Sequence, residues 1–305
     1  MNPRDRLVLR CPAKVNLALS VAAPDASGLH PIASWMAAID LSDTLSIDVA
    51  HDGRSRFDIH FDEHGPTRGV VDWPLEKDLS HRAVGLVEQH VGQTLPIHLT
   101  LRKCIPAGAG LGGGSSNAAA TLVGLNRLFQ LGLSTQTLLE LSGRLGSDVC
   151  FLLHAILGRT AGVALGRGET IELIDAPHPI DLVLLLPPLR CSTAQVYQQF
   201  DALRPDAPAQ PDAAAVRALA ACTRLAPDGS FNDLAEAACR VEPRLASYRD
   251  KARDAMGLPV HITGSGSAMF AVAPEAAAAA RMAEDTAART GTPARATRTL
   301  ANAPF

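Results

Sequence analysis

Residues Cys104–Leu122 read Cys-Ile-Pro-Ala-Gly-Ala-Gly-Leu-Gly-Gly-Gly-Ser-Ser-Asn-Ala-Ala-Ala-Thr-Leu. Just before them, Ile97, Leu99 and Leu101 alternate with His98, Thr100 and Arg102, the period of a half-buried strand. Just after them, Ala118, Thr121, Leu122, Leu125, Leu128 and Phe129 recur every three or four residues, which makes one apolar helix face. The order is strand, glycine loop, helix. Glycines let backbone N–H groups come close to a ligand, and Ser115 or Ser116 is expected to open a helix whose N-terminal amides and dipole favour an anion. That anion is expected to be a phosphate.

A chain of 305 residues, 47% hydrophobic and 19% charged, can bury one large core or two medium ones. A net charge of -3 with scattered charges argues against a nucleic-acid partner. The start, Met-Asn-Pro-Arg-Asp-Arg-Leu-Val-Leu-Arg, lacks the apolar run of a signal peptide, and the run Leu182–Leu186 ends at Pro187 and Pro188, so no membrane partner is expected. Six widely spaced cysteines without a C-x-x-C pair read as reduced thiols, which points to the cytoplasm. The sequence carries no signal for an oligomeric state.

Along the chain, Val8–Val21 reads as a strand with Val15, Leu17 and Leu19 on one side and Lys14, Asn16 and Ala18 on the other. Thr44–Val49 is a second strand, Leu79–Val91 a helix, and Leu138, Leu139, Leu141 and Leu145 a further helical stripe. Ser147 or Asp148 is placed to cap a buried helix over Val149–Leu153, and glycine turns recur between Gly158 and Gly168. Leu182–Leu186 reads as a buried strand, and Pro205–Gly229, rich in Ala, Pro and Asp, as a loosely packed insertion or linker. A helix is expected from Phe231-Asn232-Asp233-Leu234, strands at Val260–Ile262 and Ala268–Ala273, and an alanine-rich helix over Pro274–Arg289. This irregular alternation is that of a mixed α+β fold. His60–His64, His-Phe-Asp-Glu-His, matches a short zinc-protease pattern, but it ends a strand-like alternation of Phe57, Ile59 and Phe61. Two histidines at that spacing share a face only on a helix, so this reading assigns no metal there.

Three common phosphate loops are set aside. Gly108-x-Gly110-x-x-Gly113 meets the dinucleotide fingerprint, yet the position some twenty residues on, where a ribose-binding acid belongs, holds Leu131–Ser134. No Gly-Lys pair exists for a Walker A loop, and neither H-R-D-x-x-x-x-N nor D-F-G is present for a protein kinase.

Pro106-x-Gly108-Ala109-Gly110-Leu111-Gly112-Gly113-Gly114-Ser115-Ser116 resembles the ATP loop of the superfamily of galactokinase, homoserine kinase, mevalonate kinase and phosphomevalonate kinase, the GHMP kinases. Pro12-Ala13-Lys14-Val15-Asn16-Leu17 and Thr263-Gly264-Ser265-Gly266-Ser267-Ala268 match further motifs of that superfamily in order. Gly28-Leu29-His30, Gly146-Ser147-Asp148-Val149, Gly166-Arg167-Gly168-Glu169, Ser192-Thr193 with Tyr197, and Phe231-Asn232-Asp233-Leu234 are most similar to the branch acting on a cytidine diphosphate-linked methylerythritol of the non-mevalonate isoprenoid pathway. The resemblance implies a two-domain α+β GHMP kinase fold. Residues 1–165 would form an N-terminal domain like domain 2 of ribosomal protein S5, with the ATP loop, and residues 166–305 a ferredoxin-like C-terminal domain.

It further implies ATP-dependent phosphorylation of a hydroxyl of that small molecule, with Mg2+ as counter-ion of the nucleotide; the magnesium ligands are left open. Pro106, Ala107, Gly108, Ala109, Gly110, Leu111, Gly112, Gly113, Gly114, Ser115 and Ser116 would cradle the ATP phosphates. Asp148 would take or orient the proton of the attacking hydroxyl, Lys14 would draw charge from the hydroxyl or phosphate, and Asn16, His30, Asp148, Gly264, Ser265 and Gly266 would contact the substrate. Alternatives are another small-molecule kinase of the superfamily, or a nucleotide-binding protein without catalysis. Three positions depart from the branch: Leu29 replaces a tyrosine that packs on cytosine, Cys150 a proline, and Asp78 an asparagine near the adenine pocket.

Overall fold

The fold grows from one long hairpin. Arg6–Val21 (β1) pairs antiparallel with Ile32–Val49 (β2), 16 and 18 residues, in a computed structural model that describes residues 5–63, 65, 69–176 and 178–303. The ladder runs Arg6 to Asp48 through Pro12 to Ser42, then resumes at Ala13 with Ile39, so Asp40 and Leu41 have no partner on β1. Across this irregularity both strands exchange faces, as bulges allow. Cys11, Leu45 and Ile47 belong to the core under the helices, whereas Ala13, Val15, Ile39 and Leu41 belong to a core under a second sheet. Lys14 thereby arrives on the helix side.

Ile97–Lys103 (β4) extends the C-terminal half of β2, and Ala161–Gly166 (β5) its N-terminal half. Arg56–Phe61 (β3) lies parallel to β4, Thr170–Leu173 (β6) antiparallel to β5, and Phe231–Asn232 (β8) parallel to β1, completing a 7-stranded sheet. Leu79–Val91 (α1), Gly113–Leu128 (α2), Thr135–Gly143 (α3) and Ser147–Ile156 (α4) pack on one face. Against the other lies a 4-stranded antiparallel sheet of Asp181–Leu185 (β7), His261–Ile262 (β9), Met269–Val272 (β10) and Ala294–Arg298 (β11), in the order β11-β7-β10-β9. Thr193–Leu203 (α5), Ala235–Val241 (α7) and Pro243–Met256 (α8) surround a third core at Leu185, Phe200, Leu245 and Met269, and Ala276–Thr290 (α9) covers β7. Residues 166–305 thus give β6 and β8 to the larger sheet. No described helix is long and apolar enough to cross a membrane.

Several elements differ from the sequence reading. The first half of β2 is buried on both faces, so its Ile-Ala-Ser-Trp-Met-Ala-Ala-Ile run has no alternation to detect. Helix α2 starts at Gly113 after Gly112 in left-handed conformation, ahead of the serines, and every residue from Ser116 to Leu125 is buried, not one face alone. Ser147 and Asp148 do not cap α4. Its N-cap is Gly146 with no side-chain bond, which leaves the Asp148 carboxylate free for other work. Phe231–Asn232 is a strand; Asn232 accepts from Leu234 N, and α7 begins at Ala235. His60 sits at the exposed end of β3, 3.4 Å from Asp58, while His64 lies outside the described residues.

The stretch 205–229 is not a loose linker. Asp212 caps Ala213–Ala220 (α6) through Ala215 N at 2.9 Å, Val216 is fully buried, and Leu225 joins the core between the sheets. Few large apolar residues make this stretch look polar, yet Val216, Leu219 and Leu225 seat it in that core. Leu225→Ala is expected to cost about 2 kcal/mol, the low end for a buried leucine because a cavity adjoins it, as read by urea denaturation; a cost near zero would return the segment to linker status.

Candidate active site

Strand β4 delivers the chain to the glycine loop, and a buried carboxylate fixes where the loop starts. Asp43, fully buried on β2, accepts from Cys104 N (2.6 Å) and Ile105 N (2.8 Å) through one oxygen, and from Lys103 Nζ (2.7 Å) and Asn117 Nδ2 (2.9 Å) through the other. Lys103 Nζ also donates to Asn117 Oδ1 at 2.8 Å. The ion pair is therefore satisfied on several sides, the condition under which buried charges are tolerated. It ties both ends of the loop, from β4 and from α2, to the central hairpin.

Beyond Ile105 the loop is braced from below. Lys14 N donates to Leu111 O, and Ala268 N to Ala109 O, both at 3.0 Å. Gly110 (φ +77°) sits so close to the Thr263–Gly266 turn that a Cβ there would stand 2.7 Å from Thr263 O and 3.0 Å from Gly266 O. Gly112 (φ +69°) leaves room for the Lys14 stem, whose Cγ would lie 3.0 Å from a Cβ. Side chains at either position would push the loop out of place.

Lys14 passes beneath the loop to the N-terminus of α4. Its buried Nζ lies 3.3 Å from Asp148 Oδ2 and donates to Asn16 Oδ1 at 2.7 Å. Asn16 Nδ2 donates to Ser34 Oγ, Ser34 Oγ to Ala18 O, and Asn16 N to Thr263 Oγ1, each at 2.8 Å. Lys14 and Asn16 share a face of β1, as their alternation implied, and Asp148 joins them from α4; Ala18, past a register shift after Asn16, turns instead to the core of Val15 and Leu17. The Gly264-Ser265-Gly266 turn supports them from behind: a Cβ on Gly264 would stand 3.2 Å from Asn16 Oδ1, Ser265 Oγ hydrogen-bonds Thr193 Oγ1 at 2.9 Å, and Gly266 packs on Leu245 and Ile262.

Two clefts open on either side of the loop and meet at Ser115. The smaller, about 340 Å³, runs along the loop from Pro106 to Ser115 and is closed by Trp73, Lys77, Asp78 and Leu79. Asp78 caps α1 through Ser80 N (2.8 Å) and accepts the Trp73 indole N–H at 3.0 Å. The larger, about 800 Å³, holds Leu29, His30, Ser147, Asp148, Arg167 and Tyr197 among its walls. Ser116 is fully buried one position deeper in α2.

In the larger cleft His30 donates from Nδ1 to Ala22 O at 2.9 Å, faces Asp201 through Nε2 at 3.5 Å, and lies 4.8 Å from the Tyr197 ring. Burial, with Asp148 adding to it, pushes the Tyr197 hydroxyl up to about 12, so it enters the site as a neutral group. Leu29 is about half exposed on the same wall. Asp25 accepts from Ser27 and from Arg167, which holds its carboxyl well below the usual range and fixes the turn before His30.

The sequence reading did not find Asp43, Lys103, Asn117 or Trp73. A signal for the first two existed: Asp43 is in phase with Leu41, Leu45 and Ile47, and Lys103 with Ile97, Leu99 and Leu101, each a charge in an apolar row.

Comparison with known proteins places this geometry. Residues 78–155, from α1 through α4, match the family profile described as GHMP kinases N terminal domain. The 4-diphosphocytidyl-2-C-methyl-D-erythritol kinase of Shouchella clausii (strain KSM-K16) is 34% identical over 268 residues, which cover 87% of this chain and 84% of that protein. This chain belongs to the 4-diphosphocytidyl-2-C-methyl-D-erythritol kinase family. A solved 4-(cytidine 5'-diphospho)-2C-methyl-D-erythritol kinase superposes with a TM-score of 0.74 at 34% identity, covering 97% of this chain and 100% of its own. Mevalonate kinase of Methanococcus jannaschii, 11% identical with a TM-score of 0.65 over 97% of this chain and 98% of its own, shares the fold alone. The fold is the GHMP kinase fold, and the chain is a kinase.

Removing the Asp43 carboxylate leaves Lys103 buried without a counter-charge. Asp43→Ala is expected to lose about 3–5 kcal/mol of stability in urea denaturation. An ordinary surface-like cost below about 0.5 kcal/mol would show that the pair is not what anchors the loop.

Proposed function

We propose that this member of the kinase family transfers the γ-phosphoryl group of ATP to a hydroxyl of 4-diphosphocytidyl-2-C-methyl-D-erythritol. The observation that carries this reading is the junction of the two clefts at Ser115, with Asp148 and Lys14 beside it. The smaller cleft takes the nucleotide, its phosphates laid on the loop from Pro106 to Ser115 and on the α2 N-terminus, where amides and dipole offer donors already in place. The larger takes the cytidine-linked substrate, with His30 and Tyr197 at its far wall and the hydroxyl at Asp148.

The residues divide the work by position. Asp148 accepts the hydrogen bond of the hydroxyl, aims its oxygen at the γ-phosphorus and receives the proton as the new P–O bond forms and the bond to ADP breaks. Lys14, held by Asn16 and tucked under Gly112, places a fixed positive charge beside that carboxylate and the transferring oxygens. Asn16, Gly264, Ser265 and Gly266 act on the substrate through the shape of this floor. In a loose phosphoryl-transfer transition state, such positioning contributes at least as much as proton removal.

Mg2+ fits this site as a companion of the nucleotide. Among the described residues no group of three or more His, Cys, Asp or Glu forms a metal cage, which suits an ion that keeps waters and phosphate oxygens and takes one or two protein oxygens. Ser115, at the junction of the two clefts, would hold it, and it would neutralise phosphate charge there. We also read the chain as two units, 1–165 with the S5 domain 2-like arrangement and 166–305 with the ferredoxin-like one, the latter lending β6 and β8 to the former.

Given ATP, Mg2+ and the cytidine-linked methylerythritol, the purified protein is expected to release ADP and a singly phosphorylated product, identified by mass and phosphorus NMR. Turnover of mevalonate or homoserine with none of this substrate would overturn the proposal. Asp148→Asn and Lys14→Ala are each expected to lower kcat by about 10²-fold or more while leaving ATP affinity nearly unchanged. Near-normal turnover in Asp148→Asn would remove it as the base.

A further inference from the structure

A cation lies over the glycine loop with a partner from which it is easily released. Arg190 belongs to the segment between β7 and α5, where it lines a separate groove with Pro106, Ala107 and Ala109. Its stem crosses the loop at Gly108: a Cβ on that glycine would stand 3.6 Å from Arg190 Cγ and 3.8 Å from both Cβ and Cδ. The guanidinium then reaches Asp72, Nη1 to Oδ2 at 2.8 Å, next to Trp73 of the nucleotide cleft.

The charges nearby give this placement its meaning. A nucleoside triphosphate brings several negative charges to the loop, and the other cations under it already have partners. Lys14 faces Asp148, and Lys103 is buried against Asp43. Lys77 stands on the far wall, beside Asp78. Arg190 and Asp72 are both more than half exposed, and ion pairs so exposed hold weakly. A polyphosphate offers a guanidinium more charge and paired oxygens, hence stronger and more directional bonds than one exposed carboxylate.

We propose that Arg190 is a further nucleotide-binding residue, whose guanidinium leaves Asp72 for the polyphosphate when the nucleotide enters, so that Asp72 competes with the ligand. The proposal rests on the ATP reading above. It assigns opposite signs to two neighbouring residues, which a purely structural strap between them would not.

The test is calorimetric titration of the full-length protein with the non-hydrolysable ATP analogue AMP-PNP and Mg2+, and separately with adenosine, using wild type, Arg190→Gln, Asp72→Asn and the double variant. Arg190→Gln is expected to weaken AMP-PNP binding by about tenfold, and Asp72→Asn to tighten it by about threefold. The double variant should match Arg190→Gln, since no cation is left to release, and adenosine binding should be unmoved throughout. Higher salt should narrow the difference between Arg190→Gln and wild type. Unchanged AMP-PNP affinity in Arg190→Gln overturns the proposal, and so does equal weakening by both single variants, the mark of a strap. Failure of the wild type to bind AMP-PNP at all overturns the ATP reading itself.

Discussion

The buried carboxylate of Asp43 is the constraint on which the site depends. A loop rich in glycine has no side chains with which to hold its own shape, and its backbone has more freedom to lose than any other sequence. Here that freedom is removed from outside. Asp43 takes the first two amides after β4 and, through Lys103 and Asn117, the second turn of α2, so both ends of the loop are fixed to one strand. Burying the ion pair is unfavourable in itself, and the surrounding hydrogen bonds offset it only in this geometry, which holds the loop to one shape.

The second determinant is the irregular stretch where β1 and β2 exchange faces. Regular alternation through Pro12 would have put Lys14 on the side of the smaller sheet. The two extra residues of β2, Asp40 and Leu41, turn the ladder so that Lys14 rises toward α4 instead. From the same strand Asn16 N donates to the Thr263 hydroxyl, so the turn between β9 and β10 is joined to the residues around Lys14. Elements 247 residues apart in sequence thus set one lysine against one aspartate.

Two of the positions that depart from the family resemblance, Leu29 and Asp78, line the two clefts. Leu29 stands where a tyrosine is usual, and the aromatic wall of the larger cleft comes from Tyr197 on α5, kept neutral by burial and backed by His30. On the nucleotide side Asp78, in place of an asparagine, has one donor on each oxygen, from Trp73 and Ser80, and keeps acceptor capacity toward the cleft. Both changes lie in the cleft walls.

Much of this protein was legible in its sequence. The strand, loop and helix around Gly108–Ser116, helix α1, and the strand β7 follow from local periodicity, and the ordered motifs from Lys14 to Gly266 identify the family, because short-range chemistry is written in adjacent residues. What local patterns do not carry is burial on both faces and contact at long range. The first half of β2 shows no alternation since both its sides are covered, α6 looks like a linker until Val216 and Leu225 meet the core, and Asp148 reads as a helix cap until Gly146 takes that position. The pairing of Asp43 with Lys103, the meeting of two clefts at Ser115, and the reach of Arg190 across Gly108 were decided by tertiary structure alone. Each is a juxtaposition of charges or surfaces from separate elements, and only packing fixes such distances.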